Sequence, residues 1–155
     1  MIETNYSQLY VLLVFDGMYL FVPQEEVQSV EIIADVHITH TSMGAVGWFG
    51  HGNESPVFCL AEDLSLLFEI PENREYFVLL KAEPQPLGIT CDEVEDINLK
   101  REHLHLHYLP PVMRTNESPI SQLLIYQGKI GCVCHGTALI KHLERQIEQF
   151  TQSEN

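Results

Sequence analysis

Three histidines alternate along one segment of the chain, at His103, His105 and His107. On an extended strand alternate side chains share one face, so the three imidazoles would lie on the same side. Three histidine ligands can hold a catalytic zinc ion with one open position. Residues two apart on a strand are, however, about 7 Å apart along it, so three in a row spread too widely to meet at one ion. A solvent-facing strand, with Leu104 and Leu106 on its other face, explains the pattern better, and the metal site is kept as the alternative.

A second group with metal-binding chemistry is Cys132, Cys134 and His135. Structural zinc sites usually have two or more residues between paired cysteines and a second pair elsewhere, so this spacing is a weak signal. A core strand that ends in a turn at His135 is the favoured interpretation. Cys59 and Cys91 lie inside apolar runs and are predicted to be small, reduced core residues.

Residues 44–52 contain four glycines but no Gly-Lys-Ser/Thr ending, so they do not form a phosphate-binding loop of the P-loop type. No Gly-x-Ser-x-Gly elbow of a serine hydrolase occurs in the chain. The acidic residues 92–96 are expected to form a solvated bend between strands. We therefore predict no catalytic residues and no cofactor.

The charge balance restricts the partners. The 155 residues include 22 acidic and 8 basic side chains, for a net charge of −14. Nucleic acids and anionic membranes require clustered Lys and Arg, so the composition argues against both. A protein partner with a basic patch is favoured instead. The first eight residues lack the basic and apolar regions of a signal peptide, and no apolar run is long enough to span a bilayer, so we expect a cytoplasmic protein.

Short apolar runs separated by turn residues predict a mainly β protein. Asp16-Gly17 and Gln127-Gly128 are two-residue hairpin signals. The predicted strands span residues 9–15, 18–23, 27–33, 46–49, 57–60, 76–82, 87–92, 94–99, 103–108, 122–126 and 129–134. No flexible linker divides the chain, so residues 1–155 are predicted to form one domain of two interlocked subdomains, with residues 151–155 as a frayed tail.

Two helices are predicted. Residues 61–68 have apolar side chains at helical spacing and two acidic residues in the first turn. The second helix follows residue 136, with Thr137 as its cap and one apolar stripe. That stripe consists of Leu139, Ile140, Leu143, Ile147 and Phe150.

Residues 76–97 form a recognisable sequence pattern: an apolar strand, a turn with prolines, a second strand opening at Gly88, and an acidic pair before a third strand. This pattern resembles the second half of CheW-like domains. The matching positions are Val78, Leu79, Leu80, Gly88, Ile89, Asp92, Glu93, Val94 and Ile97. Residues 13–23, 27–33 and 56–60 resemble the family's opening hairpin, its third strand and its Pro-Val-Ile-Asp-Leu strand, so the similarity runs from about residue 9 to residue 143.

The resemblance implies two small SH3-like, five-stranded antiparallel β-barrel subdomains packed together, with one short internal helix and a C-terminal helix. It also implies a non-catalytic adaptor that couples chemoreceptor tips to a CheA-type histidine kinase within an array.

The chain departs from the family pattern at one loop. Family members usually carry Asn-Leu-Arg-Gly there, whereas residues 48–55 contain no arginine, and His51 or Gly52 occupies the position. Cys59 replaces the family's aspartate. One imidazole cannot reproduce the five donors of a guanidinium group. The resemblance is therefore to a divergent member, for which an array controlling type IV pili and twitching motility is a candidate.

The predicted partner-binding residues are Val30, Ile32, Trp48, Phe49 and His51. Trp48 and Phe49 are adjacent on a strand, so their rings point to opposite faces, and at least one is expected to line a rim or groove. Aromatic residues are enriched at binding hot spots. The alternative is that both rings are buried between the barrels.

Overall fold

The computed structural model describes residues 8–38, 44–50, 55–99, 105–108 and 118–153. Within these ranges the chain forms thirteen β-strands and one α-helix. The strands are β1 Gln8–Phe15, β2 Met18–Pro23, β3 Val27–Ile32, β4 His37–Ile38, β5 Gly47–Phe49, β6 Ser55–Leu60, β7 Leu66–Leu67, β8 Tyr76–Leu80, β9 Leu87–Cys91, β10 Glu93–Leu99, β11 His105–Tyr108, β12 Ile120–Tyr126 and β13 Lys129–Cys134. The helix, α1, spans Gly136–Ser153, and short 3-10 turns at Gln24–Glu26 and Ile33–Asp35 flank β3.

The first sheet, sheet A, has the strand order β10-β1-β2-β13-β12-β11. Both predicted hairpins are present in it, β1–β2 and β12–β13. Their turn residues have positive φ, with Asp16 at 51° and Gly17 at 81°, and Gln127 at 49° and Gly128 at 76°. This is the turn geometry whose twist matches that of the paired strands, which explains why the hairpins were predictable from sequence.

The second sheet, sheet B, has the strand order β3-β8-β9-β6-β5-β4, and β7 pairs with β6. β3 and β4 are therefore the terminal strands of this order, and the 3-10 turn Ile33–Asp35 links them along the chain. Each sheet contains one parallel pair, β13 with β2 and β6 with β9. Sheet A therefore has six strands and sheet B seven, more than the five expected in each subdomain, because short strands such as β4 and β7 add to the sheets.

The core has three layers. One cluster lies on one face of sheet A and includes Tyr10, Phe21 and Leu124. Another lies on one face of sheet B and includes Val57 and Phe77. The largest cluster joins the remaining faces of both sheets to α1. Its fully buried residues are Leu13, Phe15, Leu20, Val22, Leu60, Val78, Ile89, Cys91, Cys134 and Leu139. A core for each sheet and a shared layer between them confirm two packed β subdomains.

The predicted helix at residues 61–68 is absent, so that prediction was wrong. The segment makes a turn into β7, with Leu64 at a φ of 67°. The Asp63 carboxylate accepts hydrogen bonds from the backbone N–H of Ser65 at 3.0 Å and from its hydroxyl at 2.6 Å. Such local side-chain bonds compete with helix formation. Burial of Leu64, which is 4% exposed, then stabilises the turn against the core.

The C-terminal helix is confirmed. Leu139 and Leu143 are buried in the shared layer, and Ile147 packs against it, as the stripe predicted. Thr137 lies inside the helix and is not its cap. The backbone N–H of Gly136 donates instead to Glu26 Oε1 at 3.1 Å. The helix continues to Ser153, so it extends into the predicted frayed tail.

Candidate partner-binding surface

Val30 and Ile32 lie on the edge strand β3 and are 42% and 52% exposed. Val30 is paired with Val78, and Ile32 with Tyr76, on the neighbouring strand β8. Paired residues project to the same face of a sheet, so both side chains extend the apolar face that carries Val78. The shared core layer covers that face at β8 and leaves it open to solvent at β3.

Trp48 and Phe49 point to opposite faces of β5, as predicted. The Phe49 ring packs edge-on against Phe77, with centroids 5.2 Å apart, within the core of sheet B. Trp48 is half-buried and pairs with His37 and Pro56. Both rings are half-buried, and Phe49 also attaches β5 to the core of sheet B. His51 lies outside the described residues.

A groove of about 400 Å³ opens where the two sheets meet. Sheet A contributes Leu12, Val14 and Val94, and sheet B contributes Tyr76. The remaining lining residues are acidic: Glu75, Asp92, Glu93 and Glu95. Ile32 is the cross-strand neighbour of Tyr76, so β3 lies next to a strand that lines this groove, although Val30 and Ile32 are not themselves lining residues. We name this cavity the junction groove.

Arg74 forms the buried support behind the junction groove. Its side chain is fully buried, with Nη2 2.7 Å from Asp16 Oδ2 and Nε 3.2 Å from Asp92 Oδ1. The guanidinium group also lies over the Phe15 ring, 5.0 Å from its centroid. Asp92 Oδ2 accepts a hydrogen bond from the backbone N–H of Asp16 at 3.1 Å. One cation therefore ties the β1–β2 turn to the corner between β9 and β10.

Neutral oxygen atoms also accept hydrogen bonds from the Arg74 guanidinium group. It donates to the carbonyl oxygen of Leu60 at 2.8 Å and to the carbonyl and hydroxyl oxygens of Thr90 at 3.2 Å each. The Thr90 hydroxyl donates in turn to Cys59 Sγ at 3.0 Å. Sequence reasoning missed Arg74 because a single arginine in a polar turn carries no local signal. The acidic bend at residues 92–96 was noticed, but its arginine partner was not.

The residues of the metal alternative do not converge in the described part of the chain. Cys134 is buried in the shared layer and Cys132 is half-buried, and burial raises the pKa of both thiols. Metal ligation requires the thiolate, which this apolar setting disfavours. His135 lies on the surface, with Nδ1 3.6 Å from Glu26 Oε2. The backbone places His105 and His107 on β11, opposite Ile125 and Leu123, and His103 falls outside the described residues.

Among the residues described, no group of three His, Cys, Asp or Glu side chains is arranged to hold a metal ion. No helix in the same part of the chain is both long enough and apolar enough to span a bilayer.

Comparison with known proteins places the fold. No protein-family model and no curated protein sequence matches the chain. Among solved structures, a scaffolding protein matches the chain. That match is the crystal structure of scaffolding protein TtCheW from Thermoanaerobacter tengcongensis, with a TM-score of 0.63, 17% sequence identity, and coverage of 83% of this chain and 88% of that chain. The chain therefore has the CheW-like fold that its sequence pattern implied.

Proposed function

We propose that this protein is a non-catalytic adaptor of bacterial chemosensory signalling, which couples chemoreceptor tips to a CheA-type histidine kinase in the cytoplasm. The observation that carries the proposal is the match to a scaffolding protein over 83% of the chain, across both subdomains. The exposed aliphatic edge at β3 and the junction groove beside it add a surface of the kind that docks polypeptides.

The proposed contact surface contains Val30, Ile32, Trp48, Phe49 and His51. Val30 and Ile32 expose apolar area on an edge strand, where burial by a partner is favourable. Phe49 supports Trp48 by packing against Phe77. A footprint of about 800 Å² on this chain would be ordinary for a specific complex.

We further propose that the array served is a divergent one, with arrays that control type IV pili and twitching motility as the candidate. The support is the loop at residues 48–55, which lacks the arginine usual in the family. Cys59, where the family carries aspartate, is buried and accepts a hydrogen bond from Thr90.

The test uses Val30→Glu and Ile32→Glu in binding assays with a chemoreceptor-tip fragment and with a kinase regulatory domain. Burying an unpaired carboxylate opposes binding, so we expect at least about tenfold weaker affinity, which is about 1.4 kcal/mol. Trp48 is the single tryptophan, so its emission reports docking directly. Gln28→Glu is the matched control, because it adds the same charge at an exposed position of the same strand.

The proposal fails if neither fragment changes the emission of Trp48 and neither is retained by the immobilised protein. If affinity falls equally in Gln28→Glu and Ile32→Glu, the partner is responding to added charge, and the apolar side chains of β3 are not the contact.

A further inference from the structure

A second cavity, of about 660 Å³, lies between the tips of the two hairpins of sheet A. Its walls are the β1–β2 turn and the β12–β13 turn. It shares Val14, Asp92 and Glu93 with the junction groove, so the two cavities adjoin, and we name them together the trough. Its other lining residues are Gly17, Tyr19, Gly128, Lys129 and Ile130.

The far end of this trough is apolar and open. Ile130 is 71% exposed and Ile125 is 39% exposed, and the two are directly paired across β12 and β13. Paired side chains on one face of a hairpin form a single surface. The two isoleucines expose apolar surface to water beside the cavity. An aliphatic side chain of a partner would cover that surface, which is favourable.

The middle of the trough is negatively charged. Glu75, Glu93 and Glu95 are exposed there, and none of them forms a salt bridge with another described residue. The cation among the lining residues is Lys129, whose Nζ donates to the Tyr19 hydroxyl at 2.6 Å and lies 5.0 Å from that ring's centroid. Its charge also interacts with that of Glu93, and the acidic residues outnumber it. These carboxylates repel one another and would be neutralised by a cationic partner.

We propose that the docking groove extends from the sheet junction across the hairpin tips to Ile130, and that its occupant is a protein segment carrying Lys or Arg beside an aliphatic anchor. The inference rests on the proposed function in taking the junction groove as the site of partner docking. The charged rim selects a cationic segment and gives salt-dependent binding, and the Ile125–Ile130 pair receives the anchor.

The experiment measures fluorescence anisotropy of two labelled helical peptides of equal length, one rich in Lys and Leu and the other in Glu and Leu. We expect the Lys-rich peptide to bind, with affinity falling as salt rises, and the Glu-rich peptide not to bind. The groove variants are Ile130→Asp and the double variant Glu93→Gln/Glu95→Gln. Each variant should bind the Lys-rich peptide with an affinity at least about tenfold lower, a loss typical of hot-spot residues.

Two matched controls separate the trough from general charge and hydrophobicity. Ile38→Asp changes an isoleucine that is 70% exposed on β4, in the other subdomain. Glu144→Gln removes an exposed charge from α1. Both should retain affinity within about twofold, in line with substitutions outside a contact surface. Thermal unfolding of every variant establishes that the fold is intact.

Equal binding of the two peptides, or equal losses in Ile130→Asp and Ile38→Asp, overturns the inference. The proposed function is separable from it. If chemoreceptor and kinase fragments do not bind but the Lys-rich peptide follows the expected pattern, the assigned partners are wrong and the trough chemistry holds. If Ile32→Glu disrupts kinase or receptor binding while Ile130→Asp and the double glutamate variant do not, the adaptor role holds and the extended groove is refuted.

Discussion

Arg74 connects the two sheets at their junction through contacts with Asp16 and Leu60. Its guanidinium group is fully buried, contacts two carboxylates and donates to two backbone carbonyls. A buried charge is tolerated only when its partners satisfy it, and each partner comes from a different part of the fold. Asp16 and Asp92 keep 33% and 20% of their side chains exposed, so water screens their side of the contacts.

The first prediction concerns Arg74→Ala. The substitution leaves the Asp16 carboxylate and the Leu60 and Thr90 carbonyls without their donor, and the Asp92 carboxylate without its ion-pair partner. We expect the free energy of unfolding to fall by about 3–5 kcal/mol. Asp16→Asn, at the more exposed end of the network, should cost about 1 kcal/mol or less. Urea unfolding followed by circular dichroism measures both.

Lys81→Ala is the control for loss of a cation, because Lys81 is exposed at the end of β8. If Arg74→Ala lowers the free energy of unfolding no more than Lys81→Ala does, the buried network contributes little to stability.

At the scale of elements, α1 is held at its start by a residue distant in sequence. Glu26 lies 110 residues before Gly136 and accepts the hydrogen bond from its backbone N–H. A carboxylate there also interacts favourably with the helix dipole. Farther along, His142 Nε2 lies 2.6 Å from the Leu64 carbonyl oxygen, so the turn that replaced the predicted helix is also attached to α1.

The second prediction concerns this cap. Glu26→Ala removes the acceptor and the charge, and should lower the free energy of unfolding by about 0.5–2 kcal/mol. Glu26→Gln keeps an acceptor oxygen and loses the charge, so its cost should be smaller, about 0.3–1 kcal/mol. Chemical unfolding monitored by helix ellipticity gives both values.

Glu25→Ala serves as the matched control, since Glu25 is an exposed glutamate of the same 3-10 turn. If Glu25→Ala and Glu26→Ala have the same stability, the carboxylate of Glu26 does not cap the helix.

On the scale of the whole molecule, the shared core layer makes two sheets and a helix one body. Cys91 and Cys134 are fully buried in it. Burial raises the pKa of Cys91 from an ordinary value of 9.0 to about 12, and it raises the pKa of Cys134 as well. Both thiols are therefore neutral in the folded protein at neutral pH, as core residues should be.

The third prediction follows from the sign of these shifts. The folded state holds the thiol protons more tightly than the unfolded chain, so stability is constant below about pH 9 and falls as pH rises toward 12. For Cys91 alone, the free energy of unfolding at pH 10.5 should be about 2 kcal/mol lower than below pH 9. This figure comes from about 1.5 pH units above the ordinary pKa of 9.0, at 1.36 kcal/mol per unit. Urea unfolding at pH 8 and pH 10.5 measures it.

Cys91→Ala should show a smaller alkaline loss than the parent protein, although its stability at pH 8 is lower because of the cavity that the substitution leaves. An unchanged alkaline loss in Cys91→Ala would assign the pH dependence to other groups, among them Tyr10, whose pKa burial also raises.

Local features of the chain determined much of this fold in advance. The turn pairs Asp16-Gly17 and Gln127-Gly128 predicted their hairpins, because positive φ is favoured by few residues and acts within two positions. The stripe through Leu139 and Leu143 predicted α1, since helical periodicity is also local. The order of short strands carried the resemblance to CheW-like domains, and Val30 and Ile32 were placed correctly on a strand.

Tertiary structure alone decided how distant parts of the chain meet. The turn at residues 61–68 formed in place of a helix because Leu64 is buried in the core while Asp63 bonds Ser65. The partners of Arg74 lie up to 58 residues away, and the cap of α1 lies 110 residues away. The junction groove combines β1, β8 and β10. Such contacts depend on how the two sheets pack. Backbone preferences act over a few residues and carry no information about that packing.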